Sequence, residues 1–245
     1  MDLFPAIDLL GGRVVQLVQG DFDRSRVHGD DPVSVALGFE AAGAPWIHCV
    51  DLDAARTGEP VNRALIGKVA AAVSVPVQVG GGVRSVDAAA ALADLGVERV
   101  VIGTAALDDR ELVEHVAARQ RVAIGLDVRG REVALRGWTE SSGVEWDELL
   151  SRLSGAGAEA VVVTQIRKEG LMAGPDVEGL REVLAATTLD VVASGGVGTI
   201  DDLRALDAVE VDGRRLAGAI VGTAIYEGRV SVPDAVEVLR CAPRA

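Results

Sequence analysis

Short runs of β-branched and aliphatic residues alternate along the whole chain with longer segments in which apolar residues recur every three or four positions. The short runs read as strands and the longer segments as amphipathic helices. The pattern predicts strands at Leu3–Ile7, Trp46–Asp51, Val75–Val79, Arg99–Ile102, Val122–Asp127, Ala160–Gln165, Asp190–Ser194 and Gly218–Val221, with helices such as Val33–Ala42, Val86–Leu95, Trp146–Ala156 and Val177–Ala186 between them. Ala160-Val161-Val162-Val163 and Ala219-Ile220-Val221 carry no polar alternation, as expected of parallel strands covered on both faces. Eight strand–helix units make either a closed barrel or a long open sheet.

An internal repeat chooses between them. Val101-Ile102-Gly103-Thr104-Ala105-Ala106 returns 119 residues later as Ile220-Val221-Gly222-Thr223-Ala224-Ile225, and Gly81-Gly82-Val83-Arg84-Ser85 returns 114 residues later as Gly195-Gly196-Val197-Gly198-Thr199. Asp127 likewise follows Asp8 by 119 residues, each at the end of a predicted strand. Two similar four-strand halves imply a single (β/α)8 TIM barrel over residues 1–245 with approximate two-fold symmetry, so paired features face each other across its mouth.

A length of 245 residues with 49% hydrophobic content suits one such domain. The net charge of -13 argues against nucleic acid as a partner. No apolar run approaches the roughly 18–20 residues that cross a bilayer, and Met1-Asp2-Leu3-Phe4-Pro5 is acidic rather than a basic targeting sequence. Cys49 and Cys241 offer no disulfide framework, and His28, His48 and His115 have no metal-ligand spacing. A soluble, unprocessed cytoplasmic protein without a cysteine or histidine metal site is expected. A monomer is compatible with a barrel that fills its own core.

In such an acidic chain an anion must be held by local geometry. Each half supplies the same device: a strand ending in a glycine pair, Gly81-Gly82 or Gly195-Gly196, and a next strand ending in Gly103-Thr104 or Gly222-Thr223 before a helical segment. Glycine lets backbone approach an anion closely, and helix N-termini offer unpaired N–H groups. Arg84 adds a cation beside the first pair. Two constellations predict a small-molecule substrate with two phosphate groups.

Pro5-Ala6-Ile7-Asp8-Leu9, Gln19-Gly20-Asp21-Phe22, Asp30-Asp31-Pro32, Val50-Asp51-Leu52-Asp53-Ala54, Gly80-Gly81-Gly82-Val83-Arg84, Gly125-Leu126-Asp127 and Gly137-Trp138 together resemble the histidine-biosynthesis isomerase family. The resemblance implies an Amadori rearrangement of ProFAR, a phosphoribosyl formimino aminoimidazole carboxamide ribonucleotide, to its ribulosyl isomer, a reaction that calls for no metal or organic cofactor. It implies Asp8 as proton acceptor and Asp127 as proton donor, with Thr164 and Gln19 near the substrate; by their own chemistry the Trp138 indole suits stacking on the aminoimidazole, and Arg136 and Arg24 suit its phosphates or carboxamide. Arg136 and Trp138 fall in a polar, glycine-flanked stretch beyond strand 5 with the character of a lid, and Arg24 and Arg26 fall in the loop after strand 1.

The sister cyclase family carries a cysteine and a lysine where Ala6 and Gln16 stand, which disfavours a cyclase. A dual-substrate relative, phosphoribosyl isomerase A of actinobacteria, also acts on phosphoribosyl anthranilate. It shares the Arg136-Gly137-Trp138 pattern but commonly has an arginine where Gln16 stands and a serine where Gly80 stands. One departure from the family concerns the acid. In Thr164-Gln165-Ile166-Arg167-Lys168-Glu169-Gly170, Glu169 stands where the family usually has aspartate, so the acid role lies open between Asp127 and Glu169. A catalytically silent sugar-phosphate-binding barrel is the alternative of another class, since fold does not dictate function.

Overall fold

The computed structural model describes residues 1–18, 20–135, 138 and 140–241, with backbone alone at 18, 23, 140 and 241. Gln19 and Arg136, expected near the substrate, lie outside the described residues. The barrel strands are β1 (Asp2–Leu10), β2 (Ile47–Asp51), β3 (Val77–Gly80), β4 (Arg99–Ile102), β5 (Arg121–Arg129), β6 (Ala160–Gln165), β7 (Asp190–Ser194) and β8 (Gly218–Val221). They are parallel neighbours in chain order. β8 pairs with β1 and β5 with β6, so among the described residues the sheet closes into an eight-stranded barrel. Pro76, which has no N–H to give a ladder, accounts for β3 starting later than the apolar run predicts.

Two strands run well past their predicted ends because each turns into an antiparallel hairpin. β1 continues into Arg13–Val18 and Asp21–Gly29, and β5 into Glu132–Leu135 and Glu140–Glu145. Arg24 and Arg26, expected in a loop, therefore sit on a hairpin strand. Val15 and Leu17 of this hairpin bury against Leu52, with Val50, Phe22 and Leu10 packed around them. That satellite core holds the hairpin down over the end of β2.

The two-residue period of a strand sends alternate side chains to the barrel axis. Phe4, Ala6, Trp46, Val101, Ala123, Ala160, Val162, Val192 and Ile220 form the inner core, while a larger core lies between strands and helices. Continuing each inward series one step brings Asp8, Val50, Gly80, Gly103, Asp127, Thr164, Ser194 and Gly222 to the C-terminal rim. These are four pairs related by the half-barrel repeat. The opposite end is plugged. Phe4 and Trp46 stack at 5.2 Å, and the Arg99 guanidinium lies 4.7 Å from the Trp46 ring centre. Gly218 exists to admit the Phe4 ring, which a Cβ there would strike.

Asn62, wholly buried, ties the root of the first hairpin to the loop after β2. Its Oδ1 accepts from Gly12 N, and its Nδ2 donates to Asp51 Oδ1 at 2.8 Å and Asp53 Oδ2 at 2.9 Å. The second half repeats the bond with its chemistry exchanged: Gln165 Nε2 donates to Asp176 Oδ2 at 3.0 Å, and Gly130 N donates to Gln165 Oε1. Asn62→Leu keeps the volume but takes the acceptor from Gly12 N and the side-chain donor from the buried Asp51 carboxylate, which keeps only its bonds from Ala54 N and Asn62 N. It is expected to destabilise the fold by about 2–4 kcal/mol in chemical denaturation; a loss below about 0.5 kcal/mol would mean water takes over the network.

Candidate active site

Asp8 and Asp127 reach the mouth from strands on opposite sides of the barrel, as their place in the repeat requires. Each keeps some surface open, yet each is enclosed enough that burial governs its proton affinity. Burial raises Asp8 from the ordinary 3.8 to about 7. Asp127 is also raised by burial, opposed by hydrogen bonds from the Trp138 side chain and the Thr164 hydroxyl, both of which favour its ionised form. Thr164 is buried and stands beside Asp127 in the β5–β6 register.

Glu169 is the third carboxyl. A single 3-10 turn, Ile166–Lys168, carries the chain from β6 to it, and its side chain folds back over β7. Glu169 Oε2 is buried with no hydrogen-bond partner among the described residues. A Cβ on Gly195 would fall 2.6 Å from that oxygen, so Gly195 is bare because the carboxyl of Glu169 occupies the space. The extra methylene, relative to aspartate, is thereby accommodated. Burial, then the negative charges of Asp8 and Asp127, raise Glu169 to about 7, against one favourable bond from the Gly170 backbone. A carboxyl that feels both aspartates belongs to the same site.

The glycines divide into two kinds. Gly81, Gly82, Gly195 and Gly196 all have positive φ, between 74° and 91°. Their missing side chains make room for protein: Gly81 for the Asp51 backbone, Gly82 for Ala54, and Gly196 for the Gly174 carbonyl, 2.6 Å from where its Cβ would sit. Gly103 has nothing within 4 Å of a Cβ, and Gly222 meets only Ala6 at 3.4 Å. Open space for an anion is therefore at Gly103-Thr104 and Gly222-Thr223. The helical segments there, Ala105–Asp108 and Thr223–Tyr226, are single turns, so backbone N–H groups rather than a long helix dipole are what they offer. Arg84 is exposed and donates to the Ala55 carbonyl at 2.8 Å, which ties it to the short helix Leu52–Thr57 that follows β2.

The two hairpins meet above the site. Trp138, at φ 72°, packs its indole on Gly20, where a Cβ would collide with the ring, and the same side chain bonds Asp127. Arg129 donates to the Trp138 carbonyl. Arg24 is exposed on the first hairpin, and Arg26 pairs with Glu227 at 2.8 Å.

Several contributors carried no motif. Gln16, buried on the first hairpin, donates to the Thr223 hydroxyl and lies 3.3 Å from His28, pinning the hairpin to the second open glycine turn. His28 stacks on Tyr226 at 4.6 Å, and the Tyr226 hydroxyl donates to the Ala6 carbonyl at 2.9 Å. Ser194 was identifiable only as the inward partner of Gly80 in the repeat. Among the described residues no group of three His, Cys, Asp or Glu side chains is arranged to hold a metal, and no helix is long and apolar enough to cross a membrane.

Comparison with known proteins agrees with this geometry. The sequence profile described as Histidine biosynthesis protein matches residues 2–231. A protein of Picosynechococcus sp., named 1-(5-phosphoribosyl)-5-((5-phosphoribosylamino)methylideneamino) imidazole-4-carboxamide isomerase, is 45% identical over 98% of this chain and 93% of its own length. Relatives of the same name from Acaryochloris marina and a Synechocystis species are 44% and 42% identical, each over 98% of this chain and 93% of their own. With a profile spanning nearly the whole chain and full-length relatives at this identity, the chain belongs to the histidine biosynthesis protein family.

Proposed function

We propose that this protein isomerises ProFAR to its ribulosyl form, binding one phosphate at Gly103-Thr104 and the other at Gly222-Thr223. The observation that carries the reading is the convergence of three carboxyls with raised proton affinity between two open glycine turns. A base and an acid are what the rearrangement needs once the ribose is held: one takes the proton from carbon 2, the other protonates where the ring oxygen or carbon 1 gains electrons. Asp8 is the acceptor. Glu169 is the donor, because its unpartnered oxygen and raised affinity keep a proton available near neutrality. Asp127, already receiving bonds from Trp138 and Thr164, is the anchor that positions the indole. Arg24, on the covering hairpin, adds positive charge near the substrate.

Gly81, Gly82, Gly195 and Gly196 act by shaping the loops, and Arg84 by bracing one of them. The protein works as a cytoplasmic enzyme on this small diphosphate, without nucleic acid, and as a monomer.

A dual activity on phosphoribosyl anthranilate is the second reading, favoured by Trp138. Against it, that substrate carries a carboxylate where ProFAR carries a neutral carboxamide, and Gln16 offers no charge to meet it. Both ends of Gln16 are engaged, with His28 and Thr223. Assay of the purified protein with both substrates is expected to give kcat/KM at least about 100-fold higher for ProFAR, the loss that an unpaired buried charge entails. Comparable values would establish the dual enzyme, and absence of turnover on either would leave a binding protein.

A further inference from the structure

Beneath the carboxyls the barrel holds a polar column that the proposed reaction does not use. His48 on β2, Gln78 on β3 and Arg99 on β4 are inward residues of consecutive strands, 7%, 0% and 4% exposed. Arg99 Nε donates to Gln78 Oε1 at 2.6 Å, and Gln78 Nε2 lies 2.8 Å from His48 Nδ1. Arg99 also pairs with Glu159 at 3.0 Å, which anchors its guanidinium.

The chemistry of these groups settles where the imidazole proton is. A guanidinium only donates, so the amide must turn its oxygen toward Arg99 and its NH2 toward His48. The NH2 accepts nothing, so Nδ1 must be the acceptor and Nε2 must carry the hydrogen. Burial and the charge of Arg99 lower His48 to about 3, so the ring is neutral. Nε2 has no partner among the described residues and is not one of the enclosed unpartnered atoms, so it opens on the cavity. Cε1, between the two nitrogens, is what a Cβ on Gly80 would approach at 3.8 Å. Gly80, one inward step beyond Gln78 on β3, carries no side chain on the mouth side of the imidazole. Phe4, Trp46 and Arg99 close the other end.

We propose that Gln78 and Arg99 are positioning residues that lock His48 as an Nε2–H donor, and that this neutral N–H bonds the oxygen on carbon 2 of the sugar. The inference rests on the isomerase reading. In that reaction the carbon-2 hydroxyl gives its proton to the carboxylate that Glu169 becomes on protonating the ring oxygen, while protonated Asp8 returns a proton to carbon 1; the hydroxyl ends as a ketone, so its oxygen becomes an acceptor only. A fixed donor beneath it is worth most as the carbonyl forms, and no proton leaves His48. An imidazole in the other tautomer would present a lone pair to that carbonyl.

The chain has three histidines, so nitrogen NMR of the labelled imidazoles, assigned with His48→Gln, reads the tautomer directly. His48 is expected to show an Nε2–H ring that does not titrate between pH 5 and 8, and its Nε2 resonance is expected to move when ProFAR binds the Asp8→Asn variant. Gln78→Glu, which turns the donor facing Nδ1 into an acceptor, is expected to lower kcat about 100-fold with KM within about threefold. His48→Gln, whose amide N–H reaches near Nε2, is expected to retain more activity than His48→Leu. An Nδ1–H ring, a ring titrating in that range, or an Nε2 unmoved by substrate overturns the proposal without relying on any core variant folding. Normal isomerase turnover with an Nδ1–H ring overturns this proposal alone, whereas no turnover in the unsubstituted protein overturns the isomerase reading and this inference with it.

Discussion

Asp8→Asn is expected to lower kcat for ProFAR by about 100- to 10,000-fold, the range a positioned general base supplies, with substrate affinity in equilibrium titration changed by less than about tenfold. The proposed phosphate contacts lie at other residues, so binding and proton removal should separate. The same substitution is expected to raise the melting temperature, and to do so more at pH 8 than at pH 5. The ordinary carboxyl ionises near 3.8, but Asp8 in the folded protein holds its proton to about 7. Below pH 3.8 the group is protonated in both states and nothing is lost. As pH rises from there to about 7 the unfolded chain ionises and the folded chain resists, so stability falls progressively. Asparagine removes that loss, and its advantage is full only above pH 7. Near-normal kcat would remove Asp8 from the reaction; a melting temperature lower at pH 8 than that of the unsubstituted protein would mean that the carboxyl is not desolvated.

Glu169→Gln is expected to have the next largest effect, about 100- to 1,000-fold on kcat, together with a change in the shape of the pH profile. An ionised acceptor and a protonated donor that both titrate about pH 7 give a bell centred near neutrality, whose limbs belong to the coupled pair rather than to either residue. Without the acid, the alkaline limb should vanish and the residual rate should rise to a plateau. Glu169→Asp keeps the proton but withdraws the carboxyl from Gly195, and a misplacement of about 1 Å is expected to cost about 100-fold with the bell preserved. A fully active glutamine variant would return the acid role to Asp127.

Much of this was legible from residue order. The inward period of each strand and the half-barrel offsets predict the barrel, and they place Asp8 opposite Asp127 and Gly103 opposite Gly222, because side-chain direction in a strand is a local property. β1 and β5 run past the ends their pattern predicts for a physical reason: both leave the barrel as hairpins, and the apolar face of the first, Val15 and Leu17, covers a neighbouring strand end. Local pattern does not separate such a covering hairpin from a loop.

Other features depend on contacts between residues far apart in the chain. Four glycines expected to let backbone approach an anion closely also leave room for other parts of the protein, with Gly195 yielding its place to Glu169. Gln16 meets Thr223 across 207 positions, and Gln78 joins His48 to Arg99, none of them in a recognisable motif. The two open glycine turns and the aspartate pair are thus written in spacing, since the backbone repeats them. Which carboxyl keeps a proton, and which face of an imidazole carries one, follows from burial and from the charge of neighbours, and these exist only once the barrel has closed.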